Sequence, residues 1–168
     1  MRTIGQIAQF NAKYNPHKKA IVDEGTWREV NERTNRLANA LISLGCGKGD
    51  RLAILAYNSS EYVECGLATA KAGMVFVPLN FRLYLREIEY ILRNSSPKVF
   101  FFGKEFSNIA DSLKPQFPLH YICLGGEVSG ALGYEALLLS AIRMTMTHLQ
   151  TIKPVCRPYE NESYGQPE

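Results

Sequence analysis

Four short apolar runs, at residues 52–57, 75–79, 98–102 and 119–124, alternate with stretches in which apolar residues recur every three or four positions. Strand-length runs separated by amphipathic helices are the signature of βαβ units, whose strands pair in parallel and whose crossovers are right-handed. The chain is therefore expected to be an α/β protein with a mostly parallel sheet flanked by helices. An opening helix is expected at 3–15, with Ile4, Ile7, Ala8 and Phe10 turned inward, followed by a short strand at 20–23. The clearest helix spans 26–44. Thr26 and Glu29 have the spacing of a capping box, in which each satisfies a free backbone N–H of the first turn. Trp27, Val30, Thr34, Leu37, Leu41 and Leu44 form its apolar stripe, and Gly45 ends it. Further helices are expected from a cap at Asn58 or Ser59 to residue 72, at 85–92 with a stop at Asn94 and Pro97, at 106–113, and at 134–142.

Residues 70–82 compress one such unit into a short stretch. Lys71 lies in the last turn of a helix, and Gly73 occupies the following position, where a positive φ is often required. Met74 to Val77 reads as a strand covered on both faces. Pro78, having no N–H, is expected to end the ladder. After residue 142 neither period persists, and the last dozen residues are polar and rich in proline. We therefore expect a folded part over 1–142 and a poorly ordered tail over 143–168.

A net charge of +3, with Lys and Arg scattered, argues against nucleic acid or an anionic membrane as partner. No apolar run reaches the length of a transmembrane span, and the first 14 residues contain no apolar signal core. Cys46, Cys65, Cys123 and Cys156 form no C-x-x-C pair and have no histidine at ligand spacing. Free thiols and a cytoplasmic location are expected.

Two glycine-rich segments invite a phosphate-loop reading. Gly45-Cys-Gly-Lys-Gly-Asp50 follows a helix and opens a strand, the reverse of the order that aims a helix N-terminus at an anion, so it is read as a turn. Gly125-Gly-Glu-Val-Ser-Gly130 has the right context but lacks the Lys-Ser/Thr that would reach phosphate and magnesium, and is also read as a turn. His17, His120 and His148 lie in unlike contexts and are read as surface or satisfied residues. Ser59-Ser60 lacks a nucleophile elbow and reads as a helix cap. Glu87 and Glu89 point to different helix faces, and Phe100 to Phe102 is a buried strand.

Taken in order, Thr26-Trp-Arg-Glu-Val30, Asn35-Arg-Leu-Ala-Asn-Ala-Leu41, Gly49-Asp-Arg-Leu-Ala-Ile-Leu55, Asn58-Ser-Ser-Glu-Tyr62 and Lys71-Ala-Gly-Met-Val-Phe-Val-Pro-Leu-Asn80 resemble the N-terminal part of the adenylate-forming (AMP-binding) superfamily. That superfamily includes acyl-CoA synthetases, luciferases and peptide-synthetase adenylation domains. The resemblance runs from about residue 3 to residue 139, and Asn80-Phe-Arg-Leu-Tyr84 is most similar to acyl-CoA synthetases. It implies the N-terminal subdomain of the adenylate-forming fold, in incomplete form. It also implies a carboxylic (fatty) acid substrate, with ATP, Mg2+ and coenzyme A as cofactors: the acid is activated as an acyl-adenylate, and CoA then displaces AMP.

The departures matter as much as the matches. The family's phosphate loop, Ser/Thr-Gly-Ser/Thr-Thr-Gly-x-Pro-Lys-Gly, is due soon after Tyr134-Glu-Ala-Leu-Leu138 and does not occur. The hinge, ribose-binding Asp and catalytic Lys of the family's C-terminal part are missing too. The hairpin before Thr26 is expected to be shortened. Tyr164-Gly-Gln-Pro-Glu168 is similar to the family's adenine and magnesium motif, Tyr-Gly-x-Thr-Glu, with Pro167 in place of the Thr. Tyr164, Gly165 and Glu168 are accordingly the candidate cofactor-binding residues, with no catalytic residue assigned. The resulting expectation is a fragment of an ATP-dependent acyl-CoA synthetase, inactive alone and without a tightly bound cofactor. The alternative is a non-catalytic α/β interaction module or complementing subunit. In either case, uncovered apolar surface would favour self-association or a covering partner.

Overall fold

Thr26 opens the longest helix through a reciprocal cap: the Glu29 amide donates to Thr26 Oγ1, and Glu29 Oε2 accepts from the Thr26 amide at 2.7 Å. The computed structural model describes residues 3–21 and 25–147, with side chains through residue 141. The elements are α1 (Ile4–Tyr14), β1 (Lys19–Ile21), β2 (Gly25–Thr26), α2 (Trp27–Ser43), β3 (Arg51–Leu55), α3 (Ser60–Lys71), β4 (Val75–Pro78), α4 (Leu85–Ser95), β5 (Val99–Gly103), α5 (Ser107–Leu113), β6 (His120–Leu124), β7 (Leu132–Gly133) and α6 (Tyr134–Thr147). A 3-10 turn, Lys104–Phe106, leads into α5. β1 and β2 form an antiparallel pair, while the main sheet is parallel throughout with strand order β4-β3-β5-β6-β7.

Period-two alternation in the strands divides the core into two layers. Leu52, Ile54, Val99, Phe101, Ile122 and Leu124 face α2, α3 and α6. Ala53, Leu55, Phe100, Phe102, Tyr121 and Cys123 face α4 and α5. Phe100, Phe101 and Phe102 are fully buried. Each contributes on the order of 2–3 kcal/mol of burial free energy, which anchors β5 at the centre of the sheet. The expected stripe of α2 is buried at Val30, Thr34, Leu37 and Leu41, and Ala38 and Ala40 widen it.

The structure corrects several expectations. In α1 the buried residues are Gly5 and Ala8, while Ile4 and Ile7 face solvent. Helix α1 lies against α2 and α3. Gly5 permits this close approach, because a Cβ there would stand 2.8 Å from the Ala70 carbonyl oxygen. β4 is not covered on both faces. It is an edge strand, with Val75 47% exposed and Pro78 exposed.

The ladder does end at Pro78, whose pair is Ile54, but not for want of a donor toward β3. Val75 donates to Asp50 and Leu79 to Ile54, so positions 76 and 78 direct their backbone nitrogens toward the open edge. A residue without an N–H is tolerated there because no strand of the sheet awaits its donation. Helix α4 runs through Asn94 to Ser95 and stops at Ser96, which adopts a left-handed conformation with φ +42°. Gly73 takes the positive φ, +69°, expected at the end of α3. The strand β7 was not anticipated; its two residues pair with β6 at Ile122 and Cys123. The backbone of α6 extends to Thr147, beyond the expected helix end at 142.

Candidate functional site

The order of the strands marks one end of the sheet. From β3 the chain steps outward to β4, then returns across β3 to form β5. Between β3 and β5 the winding reverses, and in open parallel sheets the crevice at the carboxyl ends of such strands is where ligands bind. Three aromatic side chains meet there, carried on segments that follow β3, β4 and β5. The Tyr57 ring lies 4.9 Å from Phe81, edge to face, and 5.1 Å from Phe106. Phe106 is buried and forms the floor, whereas Tyr57 is 51% exposed and Phe81 is also exposed.

One cation borders these rings, and a second lies at the loop after β6. The Arg82 guanidinium is 5.6 Å from the Phe81 ring centroid, within cation–π range. Lys104, the first residue after β5, passes close beneath the loop after β6, where a Cβ on Gly126 would lie 3.3 Å from its Cδ. Gly126 has φ +150° and Gly125 φ +72°, a course that a side chain at either position would strain. An exposed aromatic ring beside a cation is a chemistry that suits a flat ring carrying phosphate.

A second polar cluster lies on the opposite helical layer. Glu64 of α3 is buried, yet both its oxygens are satisfied: Arg33 Nε of α2 donates to Oε1 at 2.7 Å and the Tyr134 hydroxyl of α6 donates to Oε2 at 2.6 Å. The remaining Arg33 nitrogens grip Glu135 at 2.6 and 3.2 Å. The bond to Glu135 is the main cause holding the Arg33 pKa above its ordinary value, against the opposing effect of burial. Burial is the main cause of the high pKa of the Tyr134 phenol, so it stays protonated as a donor.

Arg33, Glu64 and Glu135 form one wall of a cavity of about 540 Å3, completed by Ile21, Gly25, Glu29, Val30, Ser60 and Glu61. Next to it, Lys71 Nζ is held by Asn31 Oδ1, Thr34 Oγ1 and Asn35 Oδ1 at 2.7–2.8 Å, and by the Asn31 carbonyl at 3.2 Å. Burial lowers the pKa of Lys71 to about 8.

Tyr164, Gly165 and Glu168, the candidate cofactor residues of the sequence, lie outside the described residues, as do His148 and Cys156. His17 and His120 are exposed. Among the described residues no three His, Cys, Asp or Glu side chains are grouped to hold a metal ion. Cys46, Cys65 and Cys123 are buried free thiols.

Both glycine-rich segments are turns. Asp50 accepts from the Gly47 amide at 2.6 Å and pairs with Lys98 at 2.8 Å; the Lys98 contact is the main cause of its lowered carboxyl pKa. Ser59 caps α3 through the Tyr62 amide. Glu87 caps α4 through the Tyr84 amide, and Glu89 turns away to Gln116.

The sequence sets Phe81 and Arg82 within one motif but does not join them to Tyr57 and Phe106, and it does not single out Arg33 and Glu64. The available signal for the latter was a carboxylate at 64 between Tyr62 and Cys65, on the face that packs against α2.

Residues 8–133 match the family described as AMP-binding enzyme. The chain is 33% identical over 128 residues to the fatty acid–[acyl-carrier-protein] ligase ScoC of Streptomyces coeruleorubidus, covering 74% of this chain and 25% of that protein. It is 35% identical over 121 residues to the long-chain-fatty-acid–CoA ligase FadD13 of Mycobacterium tuberculosis, covering 69% and 24%. Among solved structures, a putative long-chain-fatty-acid CoA ligase from Rhodopseudomonas palustris superposes with a TM-score of 0.76 at 30% identity, over 81% of this chain and 36% of that one. The anthranilate CoA ligase AuaEII, solved with anthranoyl-AMP, gives 0.78 at 28% identity, over 83% and 28%. The chain thus spans about a quarter of the length of these curated relatives. The ordered motifs, the parallel sheet and these matches agree: the chain belongs to the AMP-binding enzyme family and has the fold of the N-terminal part of an adenylate-forming enzyme.

Proposed function

We propose that this chain is the N-terminal part of an ATP-dependent acyl-CoA synthetase acting on a carboxylic acid of the fatty-acid class, and that it does not adenylate on its own. In the complete reaction a carboxylate oxygen attacks the α-phosphorus of ATP and pyrophosphate leaves. The CoA thiolate then attacks the acyl carbonyl and AMP leaves. The observation that carries the reading is the motif series, which reaches Tyr134 without a phosphate loop anywhere in the 168 residues. Magnesium and the ATP phosphates would need a cradle of backbone amides and a carboxylate ligand set. The described residues fit neither.

What these residues do fit is the nucleotide end of coenzyme A. The half-exposed Tyr57 ring, flanked edge to face by Phe81 and by buried Phe106, is the stacking face we assign to adenine, with Arg82 beside Phe81 as positive charge for its phosphates. The contribution assigned to them is binding and orientation of the nucleotide. A cytoplasmic location belongs to the same reading, supported by the three buried free thiols.

The deciding experiment is ATP–pyrophosphate exchange by the purified chain with a panel of fatty and aromatic acids. Exchange at background level is expected, and robust exchange overturns the reading. A second reading, a non-catalytic module that pairs with another polypeptide or with itself, is favoured by the apolar side chains left exposed at Ile4, Ile7, Val75 and Leu139. Sedimentation separates the two: a strictly monomeric chain across the micromolar range argues against self-pairing.

A further inference from the structure

We draw no further inference here: the strongest candidate, the acid-lined cavity of about 540 Å3 between α2, α3 and the start of α6, is a carboxylate cluster in which Glu64 and Glu135 are already bound by Arg33 and Glu29 caps α2, and nothing in it points to a ligand.

Discussion

Tyr134 donates its hydroxyl to Glu64 across 2.6 Å, joining the first residue of α6 to the middle of α3 although 70 positions separate them. The Arg33 guanidinium stands 5.6 Å from the Tyr134 ring centroid and binds Glu64 as well, so three helices share one buried carboxylate. Removing one partner of such a group leaves the other desolvated and unpaired, which costs more than the net worth of the bond. Tyr134→Phe is expected to destabilise the chain by about 1–3 kcal/mol. Glu64→Leu combined with Tyr134→Phe is expected to cost less than the sum of the single changes. Urea titrations of the three variants measure both, and strict additivity would count against the shared carboxylate.

Gly5 governs how closely α1 approaches α3. A methyl group there meets the Ala70 carbonyl oxygen at 2.8 Å, and backbone on both sides leaves no flexible atom to yield. Gly5→Ala raises helix propensity by about 0.8–1.0 kcal/mol, yet is expected to lower stability by about 1–3 kcal/mol, because overpacking dominates. Ala8→Gly is the control: it loses propensity without adding bulk. A stabilised Gly5→Ala variant in thermal melts would show that α1 is not seated as described.

Lys71 makes stability depend on pH in an unusual direction. Its folded pKa, lowered by burial to about 8, lies below the ordinary value of 10.5. The penalty for keeping the ammonium buried is in full force below about pH 8. Between about 8 and 10.5 the unfolded chain holds this proton more tightly than the folded one, so this residue's contribution to stability rises with pH. Comparing the wild type with Lys71→Met at pH 7, 9 and 10 isolates the contribution from other titrations. The wild type should gain on the variant as pH rises, and a constant gap would contradict the assignment.

The aromatic platform predicts a binding difference rather than a stability difference. Tyr57 is half-exposed, so Tyr57→Ala should leave the melt within about 1 kcal/mol of wild type. It should weaken coenzyme A binding by about five- to a hundredfold, the range for a lost base-stacking contact of about 1–3 kcal/mol. Calorimetric titration with coenzyme A and with pantetheine, which has no nucleotide, tests this. Equal binding of the two by the wild type would remove the platform from the site.

The capping box offers a local check. Thr26→Ala removes the acceptor for the Glu29 amide and is expected to cost about 1 kcal/mol, seen as a lower urea midpoint with an unchanged slope.

Much of the architecture was legible because period carries it. The strands at 51–55, 99–103 and 120–124 carry uninterrupted apolar runs at 52–55, 99–102 and 121–124, and much of the stripe of α2 is regular enough to read from the sequence. Helix α1 departs from its apolar pattern because at Gly5 the absence of a side chain decides the packing, and an apolar scale scores that weakly. β4 misled for a related reason: its apolar run suits a central strand, but its place at the edge follows from the return of the chain to β5, a topological fact absent from any local window. The candidate site was hidden in the same way. Tyr57, Phe81 and Phe106 are about 25 positions apart, and only the parallel sheet brings the ends of β3, β4 and β5 side by side.

The orientation of Pro78 has a consequence for how copies of this chain behave in concentrated solution. A parallel sheet with a bare margin can template growth, each newcomer strand being held by amides projecting from that margin. On β4 the margin's donors come from alternate positions, and at 78 the donor is missing. An incoming strand would lose one rung at the exit of β4 and meet a pyrrolidine ring there. The same residue that the neighbouring strand never calls upon is therefore expected to hinder edge-to-edge pairing of one molecule's sheet with another's at the exit of β4.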